Sequence, residues 1–364
     1  MNKLFKRIFV AIVLLAAVAC ERRPLLDQSE AVRIKIKVNV KAVTNVNTNI
    51  RSSVRLYGTN TSIWDPKLEQ LDPQMMRVLV YDPDTEELLG QSFITSTEVD
   101  EEGNKVFNGN LGISHGNYNF LVYNFDTPTT QVTAENSEAS ILAYTNEIPS
   151  NLKAKYLGTK AETDYEDMSI RYEPEHLLVA NEKDVRISPH DTLVVVETVA
   201  NTIVDTYYLQ VRVKGLQFAS SATAVISGLS PSNHIGYNER TIDPTAAVVF
   251  EMQKAQDLSL DGDNKDVLCA VFNTFGKIKE TSSNLYVTFN VYDSAGNLLQ
   301  YSANMDTIFN SEEAIKYHWL IVDEDCLVIE IENPNNGENP PAGNGGGFQP
   351  QVDDWEEEVG EITL

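Results

Sequence analysis

Val32, Ile34, Ile36, Val38 and Val40 are apolar, and Arg33, Lys35, Lys37 and Asn39 between them are polar. Unbroken alternation of this kind predicts a strand with one buried face. Further strands are expected at 75–81, at 88–94 running back after a turn, and at 105–111. At 116–124, Tyr118, Phe120 and Val122 fall on one face and Leu121 and Tyr123 on the other, so this strand is expected at the centre of a sheet. The signal weakens over 128–189, with short strands expected near 140–144, 168–172 and 177–180. It returns at 192–199, 203–213, 222–227, 246–252, 267–272, 285–292, 298–302, 317–322 and 326–331. No helical period is sustained in this second block. Many short strands punctuated by Gly, Pro, Asn and Asp predict an all-β sandwich or barrel.

A faint repeat divides the chain. Val80-Tyr81-Asp82 leads through a turn to Leu88-Leu89, and Val291-Tyr292-Asp293 leads through a shorter one to Leu298-Leu299. Shared hairpin chemistry explains this, and so do two copies of one antiparallel sandwich plan. The expected domains are 31–189 and 190–333, with the boundary near Pro189. Residues 334–347 form a Pro/Gly/Asn linker with little capacity to pack, and 348–364 an acidic tail. The tail's apolar residues Val352, Trp355, Val359, Ile362 and Leu364 are too sparse to fold alone. Two fates fit them: docking back on the second domain, or adding a strand to an exposed sheet edge of a neighbouring subunit. Strand addition draws affinity from backbone hydrogen bonds and specificity from alternate side chains in pockets.

The amino terminus changes the picture. Lys3, Lys6 and Arg7 precede an apolar run over 8–17, and Ala16-Ala17-Val18-Ala19-Cys20 closes it. That run is too short to span a bilayer, which takes ~20 residues. Small residues before a cysteine match a bacterial lipobox, although Ala17 stands where leucine is usual. The expectation is a signal peptide over 1–19, cleaved to leave Cys20 carrying a diacylglycerol and an N-acyl chain, with 20–30 as a tether. Each buried methylene contributes ~0.8 kcal/mol, so two or three chains hold a protein at a membrane where one does not. The alternative is an ordinary signal peptide that leaves a cysteine near the cut.

The chain has 364 residues, 42% of them hydrophobic, and a formal net charge of −25. Such acidity, with no basic stripe after the signal, excludes nucleic acid as a partner. Cys269 and Cys326 both read as core positions of strands and are expected as buried free thiols rather than a bridge. Of the five histidines, His115, His176, His190, His234 and His318, no two stand in a His-Glu-x-x-His pattern. Asp261 to Asp266 fails the calcium-loop pattern at Lys265. Ser227-Gly228-Leu229-Ser230 is not a nucleophile elbow. No phosphate-binding glycine loop occurs. The expectation is a non-catalytic protein without a cofactor or metal.

The lipobox followed by Glu21-Arg22-Arg23-Pro24-Leu25, the early strand, Arg77-Val78-Leu79-Val80-Tyr81, Gly116 to Asn124 and the Gly345-Gly346-Gly347-Phe348…Val352-Asp353-Asp354-Trp355 tail resemble the fimbrillin-like lipoproteins of Bacteroidetes, close to the fimbrial anchor and minor subunits. The resemblance implies two tandem transthyretin-like, Greek-key β-sandwich domains, outer-membrane attachment and a role in pilus assembly or adhesion. Implied partners are other fimbrial subunits or surface lipoproteins, and host or bacterial surface ligands. Subunits of this family polymerise by strand donation, often after an arginine-directed protease removes the first strand; anchor-type members keep it. Arg51 and Arg55 follow the first strand here without a site signature. The rival reading is a surface glycan-binding lipoprotein for polysaccharide capture, with Trp64, Tyr57 and Trp355 as its candidate platform. Clustered solvent-facing aromatics would favour the rival, and a replaceable terminal strand the first reading.

Overall fold

In a computed structural model, residues 32–41, 72–101, 103–125, 127–157, 168–242, 244–256, 266–278 and 285–334 are described. The fold is all-β. The first strand, β1 (Val32–Lys41), is followed by β2 (Met76–Tyr81), β3 (Leu88–Ile94), β4 (Thr97–Val99), β5 (Lys105–Ile113) and β6 (Gly116–Asn124). With β10 (Leu178–Ile187) and β11 (Leu193–Thr202) they make one hydrogen-bonded path, β3-β2-β6-β10-β11-β1-β5-β4.

That path folds into two layers. β10 and β11 are joined only at Leu178↔Thr202 and Val179↔Asn201. At the other end β3 turns a corner at 95–96 into β4, which pairs with β5. Side chains from both layers meet in one core: Val32 to Val40 of β1, Phe107 of β5 and Val196 of β11 face Met76, Val78 and Val80 of β2, Phe120 and Val122 of β6, and Leu178 of β10. The alternation of β1 places all five of its apolar residues here, none more than 7% exposed.

β6 lies between β2 and β10, as its two apolar faces require. Its second face, with Leu121 and Tyr123, joins Leu79, Tyr81, Ile141, Ala143 and Ile235 in a separate core. A four-stranded sheet covers that face: β7 (Thr130–Thr133), β8 (Leu142–Thr145), β14 (Ser232–His234) and β15 (Glu239–Arg240). The remaining described strands form the second sandwich. One sheet holds β12 (Asp205–Lys214), β17 (Gln253–Gln256), β18 (Asp266–Thr274), β21 (Trp319–Val322) and β22 (Val328–Glu330). The other holds β9 (Ser169–Tyr172), β13 (Ala219–Leu229), β16 (Ala246–Glu251), β19 (Tyr286–Asp293) and β20 (Leu298–Asn304). Leu209, Val211, Ala224, Phe250, Phe272 and Phe289 fill the space between them.

Several expectations need correction. The sheets are mixed rather than antiparallel: β1 runs parallel to β11, β12 to β21 and β22, and β16 to β9. Parallel partners are remote in sequence, and a period of two carries no information about direction. Pro189 sits in a hairpin turn, where Asp191 N donates to Ser188 O at 3.0 Å and Ser188 N to Asp191 Oδ2 at 2.8 Å. β11 beyond it belongs to the first sandwich, whose sheet therefore runs to Thr202. The halves also interleave: β9 joins the second sandwich, and β14 and β15 join the cover of the first. Short helices occur where none was expected, α1 (Ser150–Leu157), α2 (Asp306–Phe309) and α3 (Glu312–Tyr317). Ser311 starts α3 by accepting from Ala314 N, and His318, at φ 57, ends it. Cys326 is exposed in a turn, with its N–H on Asp323 Oδ1 at 2.9 Å, whereas Cys269 on β18 is half-buried; the two do not form a disulfide.

The repeated hairpins share turn chemistry. Asp82 Oδ1 accepts from the N–H groups of Asp84 at 2.8 Å and Thr85 at 3.0 Å. Asp293 Oδ1 accepts from those of Ala295 and Asn297, each at 2.8 Å. Asp100 and Asn104 match the Asp293–Asn297 pair still more closely, with Gly103 at φ 87 and Gly296 at φ 85. Since an Asp-headed turn occurs at Asp82 and again at Asp100 in the first sandwich, and at Asp293 in the second, local turn chemistry accounts for the repeat.

Candidate functional site: the first strand in its slot

β1 is hydrogen-bonded along both edges. It pairs with β11 from Arg33↔Leu193 to Lys41↔Asn201, and with β5 from Val32↔Ile113 to Asn39↔Val106. Its sheet neighbours are remote in the chain, so nothing in the sequence obliges this segment, rather than another, to fill the gap. Burying a Val or Ile side chain contributes ~1.5–3 kcal/mol. Five such residues supply roughly 8–15 kcal/mol, a figure that ignores surface already buried in the unfolded chain and is comparable with the whole stability of an ordinary domain. An empty slot is therefore not a stable alternative for this sandwich. Either β1 stays, or another strand with the same alternation replaces it.

The outer side of the slot is open. Lys37 Nζ reaches Glu197 Oε1 at 2.8 Å. The hydrogen bond raises the lysine's pKa and lowers the carboxylate's, and both groups are solvated, so the pair adds little. On β11, Leu193 is 55% exposed and Val195 and Val199 are each 45% exposed. Where β10 and β11 diverge lies a groove of about 570 Å³ lined by Asn181, Lys183, Glu197, Val199 and Tyr237 among others.

The two sandwiches meet through buried polar groups. His176 Nε2 lies 3.0 Å from Thr206 Oγ1, and that hydroxyl donates to Asn273 Oδ1 at 2.8 Å. Nε2 must therefore carry the proton, leaving Nδ1 to accept from Thr202 Oγ1 at 2.7 Å. Burial pushes the His176 pKa down to about 4. His318 stacks on Tyr207 at 4.7 Å, with Nδ1 3.1 Å from Thr206 O, and burial lowers its pKa too. His176 is thus a joint between the units, whereas the contacts of His318 lie within the second sandwich. Among the described residues no three His, Cys, Asp or Glu gather as metal ligands, and no helix is long and apolar enough to cross a membrane.

Cys20, Arg51, Arg55, Tyr57, Trp64, Val352, Trp355, Val359, Ile362 and Leu364 lie outside the described residues. One aromatic pair that the sequence did not single out is exposed, Phe93 and Phe125, with centroids 5.6 Å apart. The Arg77 guanidinium lies 5.2 Å from one ring and 4.9 Å from the other, and its Nη2 meets Glu135 Oε2 at 2.5 Å. The outward parity of Phe93 beside inward Ile94 was the available signal. Trp319 is buried against Tyr208 and Val271.

The chain is similar in sequence or in fold to several known proteins. A curated relative from Bacteroides ovatus, "Putative fimbrium anchoring subunit Fim4B", is 24% identical over 267 residues. The match covers 73% of this chain and 63% of that protein, so the chain spans less than two thirds of its relative's length. The crystal structure of a "putative adhesin" from Bacteroides ovatus superposes with a TM-score of 0.57 at 19% identity, covering 88% of this chain and 98% of that one. The fimbrial anchor protein Mfa2 from Porphyromonas gingivalis is a looser likeness, at a TM-score of 0.44 and 9% identity over 79% of this chain and 88% of that one. The fold shared with the first of these structures is all-β. Residues 63–251, more than half of the chain, match the profile described as "Domain of unknown function (DUF5119)", and the chain belongs to that family.

Proposed function

We propose that this protein is a cell-surface fimbrial subunit of the anchor type, non-catalytic, held at the outer membrane by lipid on Cys20 and joined to neighbouring subunits by β-strand addition. The observation that carries the reading is the seat of β1. A strand leading straight from the amino-terminal segment is bonded on both edges and fills a core with five side chains. An anchor keeps such a strand, because the segment that ties it to the membrane is then also part of its sandwich. The fimbrium-anchoring relative supports the assignment, and the tail over 348–364 is the natural donor to a neighbour's edge. Partners are accordingly other fimbrial components.

The glycan-capture rival draws less support. Between Phe93 and Phe125 the guanidinium of Arg77 occupies the face a sugar ring would need, and the rings are tilted by 60°. Electron microscopy of cells lacking the protein tests the proposal. Fimbriae shed into the medium or lost are expected; fimbriae unchanged in number, length and attachment would overturn it.

A further inference from the structure

Glu138, in the loop between β7 and β8, is 1% exposed. A carboxylate so buried needs partners for both oxygens. Lys183 Nζ lies 2.5 Å from Oε1, and Asn119 Nδ2 donates to Oε2 at 2.6 Å. One carboxylate thus bridges an amine and a carboxamide.

The backbone is arranged around this triad. Asn119 is on β6, and β10 pairs with it through Glu182↔Phe120 and then Val185↔Tyr118. Two residues, Lys183 and Asp184, therefore oppose the single residue Asn119. Such a bulge re-aims side chains and is common beside reactive sites. Asp184 adopts φ 54, the left-handed region that a residue with a Cβ enters at a cost. In that conformation Asp184 N donates to Asn119 Oδ1 at 2.9 Å. Lys183 Nζ is steadied by Gly236 O at 2.8 Å and lies 4.7 Å from the Tyr237 ring.

Groups of the kinds an acyl transfer uses converge around the Glu138 carboxylate. The amide oxygen faces a backbone N–H placed as an oxyanion donor. The leaving nitrogen and the nucleophile share one general acid–base group. We infer that Lys183 and Asn119 condense to an intramolecular isopeptide bond between β10 and β6, with Glu138 as the catalytic residue. Glu138 takes a proton from the lysine ammonium, and the freed Nζ lone pair attacks Asn119 Cγ. The carbonyl pair moves onto Oδ1, against the Asp184 N–H. Glu138 then delivers its proton to Nδ2, the Cγ–Nδ2 bond breaks, and ammonia leaves. The remaining excess proton on Nζ passes through Glu138 to the ammonia. An ammonium and a carboxamide become a secondary amide and an ammonium ion, with no oxidant or reductant. The reaction runs once per molecule and is independent of the fimbrial reading.

The test is mass spectrometry of tryptic peptides from the full-length protein after incubation at neutral pH. The expected product is a branched peptide joining the Asn119 and Lys183 segments, lighter than their sum by one ammonia, with cleavage after Lys183 lost. Glu138→Gln, Lys183→Arg and Asn119→Ala should each lose the branched species. Two unlinked peptides of full mass from the wild type, with cleavage after Lys183, would overturn the proposal whatever the variants do. A link that persists in Glu138→Gln would overturn the role of Glu138.

Discussion

Acidification should loosen the joint between the two sandwiches through His176. In the folded chain its ring is neutral, with Nε2–H given to Thr206 and Nδ1 taking the Thr202 hydroxyl proton. The folded pKa is about 4 against an ordinary 6.5, burial being the cause. The unfolded chain therefore binds a proton as pH falls below 6.5, and the folded chain does not until about 4. Stability is full above 6.5, declines through that window and levels off below it. At ~1.4 kcal/mol per pH unit, the gap corresponds to about 3 kcal/mol, a large share of an ordinary domain's stability. His318, also lowered by burial, acts in the same direction. The assay is the urea midpoint of wild type and His176→Gln at several pH values across the window. Glutamine keeps a donor and an acceptor but does not titrate, and carboxylates shared by both proteins cancel in the difference. The wild-type curve should fall more steeply than the variant's, at unchanged urea slope. Parallel curves would refute the assignment of a buried neutral imidazole.

Ile36→Ala, at the centre of β1, should cost ~2–5 kcal/mol in a thermal or urea melt, because the side chain is fully enclosed. Deleting one residue within 34–38 should be worse, since every following side chain changes face. Cys20→Ala should move the protein from the membrane fraction to the soluble one with its melting temperature unchanged. Membrane retention without lipid labelling of wild type would sink the acylation proposal. Removing 348–364 should leave monomer stability intact and abolish subunit association; a lower melting temperature with normal assembly would point to self-docking instead.

Strands were legible wherever burial is one-sided or complete. β1 stands where its alternation put it, and β6 lies at the centre of its sheet, as its two apolar faces implied. Partners were not legible. The parallel seat of β1 beside β11 depends on chain direction, to which side-chain periodicity is blind. The turn at Pro189 looked like a boundary because turns and linkers share a composition. Cys326 was misplaced for a related reason: Leu327, Val328 and Ile329 after it form an apolar run, but Asp323 captures its N–H in a turn before the strand begins. Nor could the sequence announce Asn119, Glu138 and Lys183 as a group, for a bulge is needed to bring them together.

Under the proposed anchoring at Cys20, the position of β1 also has a mechanical consequence. A pull on its amino-terminal end runs along the strand axis, across hydrogen bonds that lie perpendicular to it on both edges. Those bonds share the load as a set, in shear, instead of opening one after another as they would if the strand were peeled away. The load then passes to β11, which meets β10 at only two residue pairs, and to β5, which returns through β4 to β3. β10 is held chiefly by its long antiparallel pairing with β6, interrupted at the bulge of Lys183 and Asp184. That interruption removes ladder hydrogen bonds at a point where force would have to cross between strands. A covalent bond from Lys183 to Asn119 would sit on the same spot. The weakest register of the β6–β10 pair and the only triad there suited to amide exchange coincide among the described residues, and the coincidence is what a load-bearing origin of the bulge would require.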